Sequence, residues 1–465
     1  MLPHLRHFEV PSLAGSGSLA TVGRLFGTDG VRGVAGTELT RDLAFGLGRA
    51  AVVVLGRHGA RRPTFLVGRD TRRSGVWLEE ALADGIRSAG GDVILAGVEP
   101  TPAIAFLTTE LRASSGVVIS ASHNPPEDNG IKFFSRDGMK LSDELEDEIE
   151  TLLAEPSAPV LELGRVSENG VGRERYLEHI VASSEGSLDG MVVVVDCANG
   201  AASNLAPRIL RRLGAEVHPI FDRPDGDNIN VGCGALHPDV VAAEVVHLNA
   251  DAGVALDGDA DRALFADARG DVIDGDQVLA ACAIAMHERR SLVGDTVVTT
   301  VMANLGFHRA MREAGVDVVA TQVGDRYVLE EMLRSGAVLG GEQSGHVIFR
   351  EQATTGDGLL TAVRFLSLAA RRGVSVEELA SCMRRYPQVL LNVPVTDPGE
   401  LGGAEAVWDE VRRAEDELGD AGRVLVRASG TEPLVRVMVE AEAADDANRY
   451  ADTLAGVVRS SLGGS

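Results

Sequence analysis

The sequence predicts an α/β protein: three related α/β domains in succession, then a smaller α+β domain at the C-terminus. Three observations carry this reading. The chain has 465 residues, more than one ordinary core organises, so three or four domains are expected. A strand–helix–strand pattern occurs three times with a shared phrase of Gly, any residue, acid, Val. The copies are Gly90-Gly91-Asp92-Val93, Gly214-Ala215-Glu216-Val217 and Gly315-Val316-Asp317-Val318. Beyond residue 388 the chain changes to strands joined by turns with two helices, the mark of a separate α+β unit. A helix, Gly, strand junction is also the common αβ connection, so the repeat speaks for architecture and not for activity.

The elements follow in order. Met1 to Thr21 mix His, Pro, Gly and Ser without periodicity, so residues 1–22 are expected to be a disordered extension. Leu39 to Leu55 is an amphipathic helix opened by Thr40 and Asp42. Thr64 to Val67 is a strand, Val76 to Ser88 a helix, and Asp92 to Leu95 a second strand. Gly116 to Ile119 is a short apolar strand. Ser142 caps a helix to Leu153, with Leu145, Ile149 and Leu152 facing inward. The second copy has a strand at Met191–Val195 and a helix at Ala201–Leu213; the third has a strand at Thr296–Val301 and a helix at Phe307–Ala314. At the C-terminus come a strand from Val389, a helix Gly403–Leu418, strands near Val424 and Leu434, and a closing helix Ala444–Leu462. The expected domains are 23–172, 173–274, 275–387 and 388–465.

Composition excludes several classes. The net charge of −25 argues against nucleic acid as the main partner, because a phosphate backbone needs a basic surface. It leaves room for a small anionic substrate, which meets only local charge. The four cysteines, Cys197, Cys233, Cys282 and Cys382, form no CxxC and fit neither a disulfide framework nor a zinc site. A reducing cytoplasm fits them. No apolar run is long enough to span a membrane, and no Walker A loop or complete dinucleotide fingerprint occurs.

Chemistry concentrates in five short stretches. The strand Gly116–Ile119 ends in Ser120-Ala121-Ser122-His123-Asn124-Pro125, the place where open α/β folds put their chemistry. A serine there is a candidate covalent phosphate carrier. Asp257-Gly258-Asp259-Ala260-Asp261-Arg262 sets alternate carboxylates on one tight loop, which suits a hard cation. An EF-hand would need Gly and Glu where Arg262 and Ala268 stand. Mg²⁺ suits a phosphate site because it keeps positions for phosphoryl oxygen. Gly341-Glu342-Gln343-Ser344-Gly345-His346 offers donors and acceptors to sugar hydroxyls, or is a polar turn with a satisfied His. Arg427-Ala428-Ser429-Gly430-Thr431-Glu432-Pro433, with Arg436, reads as an anion clamp against the alternative of a bare hairpin turn. Arg24 to Gly33 carries three glycines and Arg32, which can reach an anion. Gly356-Asp357-Gly358 reads as a turn with no catalytic role.

Together these stretches resemble the α-D-phosphohexomutase superfamily from Gly23 onward. The matching phrases are Phe26-Gly27-Thr28-Asp29-Gly30-Val31-Arg32-Gly33, Ile119 to Pro125, Asp257 to Arg262, Gly341 to His346 and Arg427 to Pro433. Ser120, Gln343 and Tyr386-Pro387-Gln388-Val389 look typical of its glucosamine branch.

The resemblance implies four domains around a central cleft, the first three with mixed sheets. It implies a phosphoserine at Ser122 and one Mg²⁺ per subunit held by Ser122, Asp257, Asp259 and Asp261. Glu342 and Ser344 would hold sugar hydroxyls; Arg427, Ser429, Gly430, Thr431 and Arg436 the distal phosphate; His123 and Arg262 would also touch substrate. Arg32 would assist electrostatically, and the general base is Lys132 or His346.

The implied reaction interconverts glucosamine 6-phosphate and glucosamine 1-phosphate through glucosamine 1,6-bisphosphate, feeding UDP-N-acetylglucosamine and cell-wall precursor synthesis. That bisphosphate, or glucose 1,6-bisphosphate, would serve as activator. First loading of Ser122 is open between a Ser/Thr kinase, a sugar bisphosphate and self-phosphorylation, and the assembly between monomer and homodimer. The rivals are the glucose and mannose phosphate branches, a metal-dependent phosphohydrolase and a silent sugar-phosphate sensor. A hinge for the last domain is expected near Gln388. Ala260 stands where family members often carry Gly, and little effect is expected because a methyl group is no ligand.

Overall fold

The computed structural model describes residues 24–463 apart from 28, 60, 156–161, 169, 171 and 430–431. The expected N-terminal extension, Thr28, Gly430 and Thr431 therefore lie outside the described residues. Four sheets follow one another along the chain.

The first sheet runs Val31–Val34, Asp128–Ser135, Ser115–Ile119, Thr64–Arg69, Asp92–Val98, Val166–Glu168. Its last four strands are parallel neighbours, and Asp128–Ser135 is antiparallel to both of its own. The second runs Val272–Ile273, Ala263–Asp267, Ala252–Leu256, Val192–Asp196, Glu216–Ile220. The third runs Val347–Phe349, Leu339–Gly341, Thr296–Thr300, Asp317–Thr321.

One plan underlies all three. A strand pairs in parallel with the strand that follows its helix, and on the other side with a third parallel strand. A fourth strand then turns back antiparallel on the third. Mixed sheets in three related α/β units are thus observed. The fourth sheet, Gln388–Pro394, Leu434–Ala441, Gly422–Ala428, is wholly antiparallel. Helices Glu405–Leu418 and Ala444–Leu462 pack on it, the expected smaller α+β unit.

The apolar interior divides differently from the sheets. The first unit has its own core around Phe65, Leu82 and Phe133, and the last has one around Val407, Val437 and Leu454. The second and third units share a single cluster that includes Val193, Val254, Val297 and Phe307. Phe265 of one meets Phe365 of the other with ring centroids 4.8 Å apart. Helix Thr101–Glu110 of the first unit is buried through most of its length, and its Ala103 joins that shared cluster.

The last unit meets the third through polar groups. Glu440 is fully buried and accepts from Asn304 Nδ2 (3.1 Å), Leu305 N (3.0 Å), Gln388 Nε2 (2.8 Å) and Arg423 Nε (3.0 Å). The Leu305 amide opens helix Leu305–Ala314, so a carboxylate sits on a helix N-terminus, where the dipole favours it.

The expected helix from Ala201 begins at Leu205. Ala201 N donates instead to Gly258 O at 2.8 Å, which fastens this turn to the carboxylate loop.

Candidate active site

The shared plan places three of the sequence-identified loops at one topological position. The serine loop joins Ser115–Ile119 to Asp128–Ser135, the carboxylate loop joins Ala252–Leu256 to Ala263–Asp267, and the Glu342 loop joins Leu339–Gly341 to Val347–Phe349. Each is the hairpin between the third and fourth strands of its unit. The Arg427 loop is likewise a hairpin, between Gly422–Ala428 and Leu434–Ala441. The sequence repeat showed the units but not this equivalence, because the turns differ in length and chemistry. The signal that would have found it is the second apolar strand following each polar turn.

Ser122 is buried, and its hydroxyl donates to Asp257 Oδ2 at 2.7 Å, across the boundary between the first two units. His123 Nδ1 lies 3.3 Å from the same hydroxyl. Burial first, then the positive charges of Arg262 and Arg32, push the His123 imidazole down to about 4.

Ligand atoms of Asp257, Asp259 and Asp261 lie within 4.8 Å of one another, and all three residues are buried. Burial first, and then mutual repulsion, raise Asp257 well above the ordinary range and Asp259 to about 6. Asp259 Oδ1 and Asp261 Oδ1 are buried without a hydrogen-bond partner. Orphaned carboxylate oxygens on a closed loop fit a hard divalent cation, which would reverse the repulsion. Thr101, at the start of its helix, orients the set: its hydroxyl donates to Asp259 Oδ2 at 2.6 Å and its amide to Asp259 O at 3.0 Å. Ala260 has φ 56°, in the left-handed region. The reason this position favours Gly is therefore its backbone angle and not ligation.

The two candidate bases differ in their surroundings. Lys132 Nζ lies 2.5 Å from Asp29 Oδ1 and 3.9 Å from Asp325 Oδ2, and Asp29 also pairs with Arg32. Burial would lower the ammonium, but Asp29 and Asp325 outweigh it and hold the group above its ordinary range. His346 is buried with both nitrogens engaged: Nε2 accepts from Gly356 N at 3.0 Å, and Nδ1 faces Asp261 Oδ2 at 3.5 Å. A Cβ on Gly356 would stand 2.5 Å from the ring. The Gly356-Asp357-Gly358 turn thus seats His346, and Asp357 also accepts from Tyr176 Oη at 2.8 Å and Leu360 N at 2.9 Å.

Glu342 accepts from Gly324 N at 3.1 Å, and burial raises its carboxyl. Ser344 Oγ is buried without a partner. Gln343 Nε2 reaches Asp274 Oδ2 at 3.4 Å, so it braces the loop against the next helix. Arg262 lies beside Asp261, 3.7 Å from Nε to Oδ1, with that Nε otherwise unsatisfied.

The last loop stands apart. Arg427 and Arg436 are directly opposite across two strands, and burial, then Arg436, lower the Arg427 guanidinium. Arg436 pairs with Glu432 at 3.3 Å and keeps a buried, unpartnered Nε. Like charges face to face are unfavourable unless an anion joins them. Among the described residues, Arg427, Ser429 and Arg436 make no hydrogen bond or ion pair with the other three loops.

Sequence reasoning missed Asp29, Thr101, Asp325 and a buried network under Ser122. Asp70 Oδ2 accepts from Ser120 Oγ at 2.6 Å and from Arg72 Nε at 2.8 Å, and Ser120 Oγ accepts from Ser122 N at 3.0 Å.

Comparison with known proteins matches the whole plan. Four descriptions of one family fit in order: phosphoglucomutase/phosphomannomutase alpha/beta/alpha domain I at residues 23–159, domain II at 174–270, domain III at 274–386 and the C-terminal domain at 390–457. The chain is 55% identical over 443 residues to the phosphoglucosamine mutase of Thermobifida fusca, covering 94% of this chain and 99% of that one. It is 53% identical over 455 residues to the phosphoglucosamine mutase of Acidothermus cellulolyticus, covering 97% and 98%. Among solved structures, a phosphoglucomutase/phosphomannomutase family protein from Burkholderia thailandensis superposes with TM-score 0.80 at 27% identity, covering 94% of this chain and 97% of that one. An N-acetylphosphoglucosamine mutase from Aspergillus fumigatus, solved with GlcNAc-6P and magnesium, shares the fold with TM-score 0.69 at 18% identity, covering 94% and 96%.

Proposed function

The chain belongs to the phosphoglucomutase/phosphomannomutase family, and we propose that it interconverts glucosamine 6-phosphate and glucosamine 1-phosphate through a phosphoserine at Ser122. The reaction is that of the curated relatives sharing more than half of its residues. The observation that carries it is the Ser122 hydroxyl bonded to Asp257 of a three-carboxylate loop from the neighbouring unit.

Asp257, Asp259, Asp261 and the phosphorylated Ser122 would hold Mg²⁺. That ion supplies charge neutralisation to the transferring phosphoryl group. A serine hydroxyl is a weak nucleophile, whereas a preformed phosphoserine is a competent donor once its charge is balanced. The phosphoryl group leaves Ser122 Oγ for the sugar's 1-hydroxyl, giving glucosamine 1,6-bisphosphate. The bisphosphate turns round, and its 6-phosphoryl group returns to Ser122.

Arg262, Arg32 and Lys132 stabilise the charge that shifts in transfer. Glu342 and Ser344 hold the sugar hydroxyls, while Arg427, Ser429, Gly430, Thr431 and Arg436 hold the phosphate that is not reacting. His346, with Nε2 occupied, acts through Asp261. Asp29 and Asp325 hold Lys132 as the ammonium, so it serves transfer as a charge, and the proton that the sugar hydroxyl loses ends on the departing Ser122 Oγ.

Intact-mass analysis of the purified protein beside Ser122→Ala tests this. The expected result is about 80 Da of phosphate on the wild type and an inactive variant. Rates on glucosamine, glucose and mannose 6-phosphates test the substrate. Equal or better turnover of glucose 6-phosphate would place the protein in the glucose branch, and steady release of free phosphate would make it a hydrolase.

A further inference from the structure

Ser122 has φ 51°. A serine in the left-handed region is strained, so something must hold it there. Two side chains from two units do so. Arg72, fully buried on Asp70, donates from Nη2 to Ser122 O at 3.0 Å and Asn124 O at 2.8 Å, and from Nη1 to Asp128 O at 3.0 Å and to Pro125 O. Asn230, from the second unit, donates from Nδ2 to the same first two carbonyls, at 2.8 Å to Ser122 O and 3.0 Å to Asn124 O.

We propose that Arg72 and Asn230 form a carbonyl clamp that positions the phosphoryl carrier. Apart from Arg72 Nε, which donates to Asp70, both spend their side-chain donors on backbone oxygens of the serine loop. Because the Ser122 and Asn124 carbonyls each receive one donor from the first unit and one from the second, the loop is held to both units at once. The clamp also explains why the second unit reaches across. Its loop is tied to the first unit by Arg73 N donating to Gly226 O at 2.9 Å and by Thr71 Oγ1 donating to Asn199 O at 2.6 Å. Asn230 itself has φ 60°, so its own backbone is bent to present the amide to Ser122.

The clamp rests on the reading of Ser122 as the carrier. Arg72 is the wrong position to change, because its loss would leave Asp70 buried and unpaired. Asn230→Gly tolerates the left-handed backbone and removes the side chain with its amide. The measurement is rapid-quench transfer from phosphorylated Ser122 to glucosamine 6-phosphate, beside KM, the Mg²⁺ concentration for half-activation, and Tm. Transfer is expected to fall about 10- to 100-fold, the effect of misplacing a reacting group by up to 1 Å. KM and Mg²⁺ dependence should stay within about twofold, the split expected for an interaction felt in transfer and not in binding.

Transfer at the wild-type rate, or a loss that follows Tm and Mg²⁺ affinity downward, would overturn the clamp. Ser122→Ala run alongside separates the two readings. If it stays active, the phosphoserine reading fails and the clamp with it. If it is inactive while Asn230→Gly is fully active, the clamp alone fails.

Discussion

Gly258 sits between two carboxylates of the trio and against the backbone of Ser122. A Cβ added there would stand 2.6 Å from Ser122 O, 2.8 Å from Asn230 Nδ2 and 2.8 Å from Ile229 Cδ1. Ordinary contact begins at 3.4 Å, so the carboxylate loop and the serine loop must part by about 0.8 Å in Gly258→Ala. The nearest atom is main chain, clasped by Arg72 and Asn230, and cannot swing aside as a side-chain tip would. Overpacking of this kind costs about 1–3 kcal/mol of stability. At the reaction centre a displacement approaching 1 Å costs about 100-fold in rate. Steady-state turnover of glucosamine 6-phosphate should therefore show kcat down about 100-fold and KM within about twofold. The proposed holders of the sugar lie on other loops, which is why KM is spared. A Gly258→Ala enzyme with wild-type kcat would show that the close approach of these two loops does not matter for transfer.

Two further outcomes follow from charge. In the metal-free protein burial, then repulsion, raise Asp259 to about 6 from 3.8, so the folded chain keeps a proton that the unfolded chain has lost. Stability then falls as pH rises through that window, by about 3 kcal/mol at 1.36 kcal/mol per unit. Tm should drop between pH 4.5 and 7.5 in EDTA, and saturating Mg²⁺ should shrink the drop, the remainder coming from Glu99, Glu146, Asp196 and Asp357, which burial also raises; a drop of the same size with and without Mg²⁺ would refute the electrostatics of the trio. Arg427→Ala should raise KM for the sugar phosphate about 10- to 100-fold, the worth of one hydrogen bond to a charged group, without lowering Tm, because it relieves a like-charge pair. An unchanged KM would remove this loop from phosphate binding.

The site loops were legible because their chemistry is dense: alternating aspartates or Arg-Ala-Ser-Gly-Thr stand out in any composition. What supports them was not. Arg72 and Arg73 are neighbours in Arg69-Asp70-Thr71-Arg72-Arg73, yet the Arg72 side chain is 0% exposed and that of Arg73 68%. Nothing local separates them; the difference is made by which carbonyls of a distant loop lie above each. Helix Thr101–Glu110 was passed over because it has no polar face to set a period, and it has none because it is wedged between the first sheet and the shared core. Strand Asp128–Ser135 was hidden by Lys132 in its middle, a charge that belongs to the site and not to the strand. Helix Ala444–Leu462, amphipathic and peripheral, was placed to the residue.

One apolar cluster spans the second and third sheets and takes in Ala103 of the first unit, while the last unit keeps its own core. The carboxylate loop and the Glu342 loop stand on sheets that share this cluster, and the serine loop is tied to the second unit by hydrogen bonds as well. The wall carrying Arg427 and Arg436 rests on the polar socket around Glu440. It shares no apolar cluster with its neighbours, so polar contacts alone hold it to them among the described residues.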